Sequence, residues 1–171
     1  MNSRKSVILA TCVSIIVLLS MYFVSNTPLH LEGEIRYTKQ RLSDLVLHED
    51  LGIQDLAASI HASAQSTDTF LWYSRFQSNC PEELQHQLSD FLNQSKVEID
   101  SVYVGGQTLY IYPEGACVFR CIIEQFNGVY AWVDLVYAPC LEGQEQGWYK
   151  DQSKHSEQIS PQWYISVLYG F

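Results

Sequence analysis

The sequence predicts an α+β domain behind an N-terminal membrane helix, and three observations predict it. An uncharged run occupies Val7 to Val24. Apolar residues then recur at helical spacing as far as Leu92. After Ser95 the pattern changes to the period of two that half-buried strands require. The expected architecture is a set of amphipathic helices packed on an antiparallel β-meander of four to five strands, stapled by disulfides.

Residues 1–6 carry Arg4 and Lys5 and no acid, and read as a cytoplasmic tail. The run that follows is 18 residues long, and at 1.5 Å per residue a helix of that length reaches about 27 Å, near the thickness of a bilayer core. Bulky Met21, Tyr22, Phe23 and Val24 close it, whereas a cleaved signal ends in small residues. Residues 7–24 are therefore expected to be an uncleaved, single-pass signal-anchor that makes the contact with the membrane. Positive charge ahead of the run holds the N-terminus in the cytoplasm. The remaining chain is then expected outside the plasma (inner) membrane, in the periplasm or extracellular space.

The chain has 10 basic against 19 acidic residues, a formal charge of −9, and the part after Lys5 is more acidic still. Such a surface excludes nucleic acid and anionic lipid as partners. Cys12 falls in the apolar run, leaving Cys80, Cys117, Cys121 and Cys140 beyond it. An even number in an oxidising compartment predicts disulfides.

Residues 25–68 read as a helical stalk. Leu31, Ile35, Leu42, Leu45 and Val46 mark one amphipathic helix, and Ile53, Leu56, Ala57, Ile60 and Ala64 a second, with Gly52 bending the chain between them. Residues 69–171 form the α+β domain. Phe70 to Phe76 is a compact aromatic segment, and Pro81-Glu82-Glu83 opens a helix that buries Leu84, Leu88, Phe91 and Leu92. Strands are expected at Val97–Val104, Thr108–Tyr112, Ala116–Phe126, Val129–Tyr137 and Gln162–Tyr169.

A two-residue turn at Asn127-Gly128 would place Phe126 opposite Val129, so that paired positions sum to 255. Cys121 would then face Asp134, and Glu124 would lie on the opposite face from Asp134. Cys117 and Cys121 are about 13 Å apart along one strand, too far to bond to each other. Proximity at the open end of the hairpin pairs Cys117 with Cys140, and elimination pairs Cys121 with Cys80.

Candidate chemistry is sparse. The Cys117-x-x-x-Cys121 spacing is not a redox motif, and the five histidines have no ligand spacing; neither a metal nor another cofactor is expected. No nucleophile elbow frames a serine. Asp134, inside Trp132-Val133-Asp134-Leu135-Val136, is the unusual carboxylate: a buried acid demands a partner, and Arg120, Arg75 or backbone amides are the expected ones. Asn93-Gln94-Ser95 fits a glycosylation acceptor pattern. Trp148 and Tyr149, in a loop rich in Gly, Gln and Glu, and Trp163 and Tyr164 near the C-terminus are the expected contact residues, because paired Trp and Tyr suit partner-binding surfaces.

An apolar N-terminal helix, an amphipathic continuation and an antiparallel meander resemble the layout of type IV pilins and pseudopilins. Ser6 stands where those families carry a glycine, and the apolar run lacks their glutamate, so the resemblance is one of architecture. The function expected is that of a non-enzymatic accessory protein of an envelope complex, binding another extracytoplasmic protein. An immunity protein against a secreted toxin is a narrower form, and a glycan-binding or hydrolytic enzyme using Asp134, Glu114 or Glu124 is the rival. Self-association through residues 29–49 stays open.

Overall fold

The computed structural model describes residues 11–21, 28–48, 51–67, 70–74, 76–104, 112, 115–124, 128, 130–139 and 156–170. Residues 11–21 are helical (α1) and exposed throughout. Three further helices follow: α2 (Pro28–Leu47), α3 (Ile53–Thr67) and α4 (Glu82–Gln94). The strands are β1 (Trp72–Ser74), β2 (Ser101–Val104), β3 (Cys117–Glu124), β4 (Tyr130–Tyr137), β5 (Ser156–Ser160) and β6 (Trp163–Gly170). All pairings are antiparallel, and the six strands lie in the order β1-β2-β3-β4-β6-β5. The α+β class is as expected, with two strands, β1 and β5, that the period-two pattern does not reveal.

The expected membrane-spanning helix over residues 7–24 is corrected. Among the described residues no helix is long and apolar enough to cross a membrane. Residues 11–21 are helical; residues 7–10 and 22–24 lie outside the described ones. The single-pass, signal-anchor, plasma-membrane and periplasmic assignments fall with it.

Helices α2 and α3, read from sequence as a stalk, pack into the domain. Leu31, Ile35, Leu42 and Leu45 of α2 and Ile53, Leu56, Ala57, Ile60 and Ala64 of α3 share one core with Leu84, Leu88 and Phe91 of α4 and with one face of the sheet. The apolar spacing that suggested amphipathic helices is the contact stripe itself. Gly52, at φ +68°, supplies the reversal between α2 and α3 at the predicted position, in a conformation that strains any side chain but glycine.

The β3–β4 register differs from the expected one by one residue. Cys121 stands opposite Val133, Arg120 opposite Asp134 and Glu124 opposite Tyr130, so paired positions sum to 254. Gly128, between the two strands, has φ +80°, a conformation open mainly to glycine. A shift of one residue exchanges every cross-strand partner. Asp134 therefore meets Arg120 and not Cys121, and Glu124 shares the face of Asp134.

The disulfide staple is corrected as well. Cys80, Cys117 and Cys121 are buried free thiols; Cys140 and the strand expected at residues 108–111 lie outside the described residues. Cys117 and Cys121 point into the core under the helices, and the Cys80 thiol donates to the Trp72 carbonyl at 3.4 Å. The pairing by proximity rested on the 255 register, which the chain does not adopt.

Candidate functional site

One face of the sheet packs on the helices. The opposite face is crossed by a polar rung that takes one residue from every strand: Ser74, Ser101, Arg120, Asp134, Ser166 and Ser156, in spatial order. Asp134 is fully buried at 0% exposure. Its Oδ1 accepts from Arg120 Nε at 2.8 Å and its Oδ2 from Arg120 Nη2 at 2.6 Å, the two-pronged geometry in which guanidinium and carboxylate bind most strongly. The same Oδ2 accepts from the Tyr112 hydroxyl at 2.5 Å and, more distantly, from that of Tyr103 at 3.5 Å. Tyr112 also hydrogen-bonds Ser166, which accepts from the Ser156 hydroxyl at 3.0 Å. Of the partners foreseen for Asp134, Arg120 binds it; Arg75, and the candidate acid Glu114, lie outside the described residues.

Arg120 is held on both sides by aromatic rings, with its guanidinium carbon 5.1 Å from the Tyr103 centroid and 4.7 Å from that of Trp132. Burial works to lower its pKa, but the bonds to Asp134 outweigh it and hold the guanidinium charged. Burial, with the Asp134 charge second, pushes both Tyr103 and Tyr112 well above the ordinary phenol range. The cluster is thus a fixed cation, a carboxylate with both oxygens engaged and two phenols that stay protonated. Its chemistry fits a structural pin: a slip of one residue would send Asp134 into the apolar core under the helices, so the rung opposes misregistration.

The rung divides the free face. On one side Tyr103, Tyr112, Ala116, Val118, Val136, Ala138 and Tyr164 form a second, smaller core. On the other side Ile122, Trp132 and Leu168 stand in one cross-strand row that belongs to neither core. Ile122 is 40% exposed, Trp132 and Leu168 are half-buried, and the Tyr130 ring lies 5.2 Å from that of Trp132. Exposed Glu124 borders the row at the next rung, opposite Tyr130.

Of the contact residues expected from sequence, Trp163 and Tyr164 are buried. Trp163 packs in the main core, 5.0 Å from Tyr137 and 6.1 Å from Phe119 by ring centroid, and its indole N–H donates to Gln54 Oε1 at 3.0 Å. Tyr164 lies in the smaller core. Trp148 and Tyr149 lie outside the described residues. The row on the free face was not anticipated; the alternating apolar residues of β3, β4 and β6 were its signal, but which parity faces the helices follows only from the register.

The His61 ring N–H donates from Nδ1 to the Gly115 carbonyl at 2.6 Å, tying α3 to the start of β3, and His30 sits 3.9 Å from Glu34 on α2. Among the described residues no group of three or more His, Cys, Asp or Glu could hold a metal ion. In the Asn93-Gln94-Ser95 sequence, Ser95 is fully buried, with its hydroxyl donating to the Leu92 and Val97 carbonyls.

Burial raises the Cys117 thiol, with the neighbouring Cys80 adding to it, and raises Cys121, with Asp100, Asp134 and Glu98 adding to it. Both stay protonated in the folded state, while the same thiols in the unfolded chain ionise near pH 8.5. Above that pH the unfolded state binds fewer protons than the folded one, so stability falls as pH rises. Integrated from the unfolded-state pKa upward, each thiol contributes about 1 kcal/mol over the first pH unit, so the unfolding free energy is expected to drop by about 2 kcal/mol between pH 8.5 and 9.5. Urea melts across that range check it, and Cys117→Ala/Cys121→Ala should halve the slope or better.

No family model, curated protein or solved structure matches the chain.

Proposed function

We propose that the chain is a non-enzymatic module that binds another protein through the partly exposed end of the sheet face that points away from the helices. The observation that carries the reading is the row Ile122–Trp132–Leu168, with the Tyr130 ring tilted against Trp132 and Arg120 held over the same ring. Aromatic and Arg side chains around an apolar centre are the composition of protein contact surfaces and of their energetic anchors. The Asp134 cluster spends its hydrogen-bonding capacity internally, which suits a scaffold that holds this surface rigid. Trp148 and Tyr149 are further proposed contact residues. A chain of net charge −9 is steered toward a partner with a basic surface.

The test compares proteins retained from an extract of the source cells by the immobilised full chain and by Ile122→Asp. The substituted position is exposed enough to accept a carboxylate without unfolding, which a melting curve verifies. One protein held by the native chain at low salt and lost with Ile122→Asp, or with Trp148→Ala/Tyr149→Ala, supports the reading. Retention of the same protein by both variants would place its contact elsewhere, and retention of none by any form would overturn binding as the function.

A further inference from the structure

We infer that Phe76 is the anchor of this contact, a rigid tip whose ring enters an apolar pocket on a basic partner protein. The inference rests on the reading of the free sheet end as a binding surface and adds to it the group that inserts. Phe76 is 93% exposed, the most exposed large apolar side chain among the described residues. Single exposed apolar residues are ordinary on protein surfaces, so exposure alone carries nothing. What distinguishes this one is the effort made to hold it there.

The chain reverses between Ser74 and Gln77. Ser74 N–H donates to the Gln77 carbonyl at 2.8 Å, and its hydroxyl donates to the same carbonyl at 3.1 Å while accepting from the N–H groups of Phe76 at 3.4 Å and Gln77 at 3.2 Å. Asn79 locks the base of the reversal. Its side-chain carbonyl accepts from Trp72 N–H at 2.7 Å, its amide donates to the Phe70 carbonyl at 2.7 Å, and its own N–H donates to the Trp72 carbonyl at 3.2 Å. Tyr73 stands opposite Ser78 in a further antiparallel bridge. Edge strand β1 is therefore covered by its own return segment, which blocks recognition by strand addition and leaves the side chain at the tip as the available contact.

Reversals select Gly, Asn, Asp or Ser for conformational reasons; a phenylalanine at the tip serves none of them. A ring with two torsions on a hydrogen-bonded turn loses little entropy when it is captured, which is how preorganised anchors gain affinity. Position joins the tip to the proposed surface. Ser74 lies on the same rung as Arg120 and Asp134, and from Ser74 the chain continues toward the sheet end that carries Ile122, Trp132 and Leu168. β1 and β3 are separated by one strand, roughly 10 Å, so tip and row fit one footprint. Arg75 precedes Phe76 in the sequence, but Glu82 and Glu83, exposed in the first turn of α4, and exposed Glu124 beside the row outnumber it, and the whole chain carries −9. That favours a basic partner over a second copy of this acidic chain.

The experiment uses the protein retained from source-cell extract by the full chain, identified, purified and titrated against the wild type, Phe76→Ala, Phe76→Tyr and Ile122→Asp. Loss of about tenfold or more in affinity with Phe76→Ala, retention within about threefold with Phe76→Tyr and unchanged melting of both support the anchor. If Phe76→Ala binds within about twofold of wild type while Ile122→Asp binds poorly, the surface stands and the anchor falls. If neither substitution alters affinity, or nothing is retained, both fall. If the retained protein is another copy of this chain, with sedimentation showing a dimer that Phe76→Ala dissociates, the assignment of a basic partner is overturned.

Discussion

Arg120→Met is expected to lower the unfolding free energy by about 3–5 kcal/mol. The substitution keeps most of the side-chain volume between the Tyr103 and Trp132 rings but removes the cation that faces Asp134 at 2.6–2.8 Å. Asp134 has no exposed surface, so its charge cannot turn to water and is left buried without a cation. That costs far more than losing an exposed ion pair, which is typically worth about 1 kcal/mol or less. Urea unfolding at neutral pH measures the loss, and for a chain of this size a drop in melting temperature of about 10 °C accompanies it. Arg120→Met/Asp134→Leu removes the charge as well as its partner and is expected to recover most of the loss, since apolar replacement of a buried pair is often neutral. A single variant within about 1 kcal/mol of wild type would mean that Asp134 finds other compensation and that the rung is not the pin it is taken to be.

Trp163→Ala is expected to cost about 3–5 kcal/mol. The indole is 1% exposed, wedged between Tyr137 and Phe119, and it anchors the α3 residue Gln54 through its N–H. Truncation opens a cavity at the meeting of β3, β4, β6 and the helices, where rigid neighbours on both sides limit collapse. Trp163→Phe keeps an aromatic ring and loses mainly the bond to Gln54, whose carbonyl can turn to solvent, so its cost should be nearer 1 kcal/mol. The pair of variants separates two roles for this residue. Large loss of stability with Ala and little with Phe is the signature of a core side chain. Unchanged stability with Ala, together with lost binding, would return Trp163 to the contact surface where its sequence context had put it.

The elements legible in the sequence are those whose signal is local. Helices α2, α3 and α4 follow from apolar stripes at Leu31–Leu45, Ile53–Ala64 and Leu84–Phe91, all of which are buried. Gly52 marks the bend through its φ of +68°, and β3, β4 and β6 follow from alternating apolar runs. Asp134 was conspicuous because a carboxylate in such a run must be paired, and Arg120 was among the partners foreseen. Strand β1, three aromatic and polar residues, and strand β5, the polar Ser156–Ser160, have no signal of their own: each is a strand because a neighbour offers it hydrogen bonds. The membrane span expected at residues 7–24 is likewise not found among the described residues, of which 11–21 are helical and exposed.

By itself, then, the sequence determined the α+β class, the helix faces, the acidic surface and the need of Asp134 for a partner, because composition and period are properties of a single segment. The tertiary structure alone decided the β3–β4 register, and with it that Asp134 meets Arg120; it also decided that Cys117 and Cys121 are core thiols, that Trp163 is buried, and that Ile122, Trp132 and Leu168 form a partly exposed row. The physical reason is the pleat: alternation tells which residues share a face but not which face meets the helices or which residues stand opposite. A one-residue difference in the β3–β4 register is enough to exchange every partner across that pair of strands.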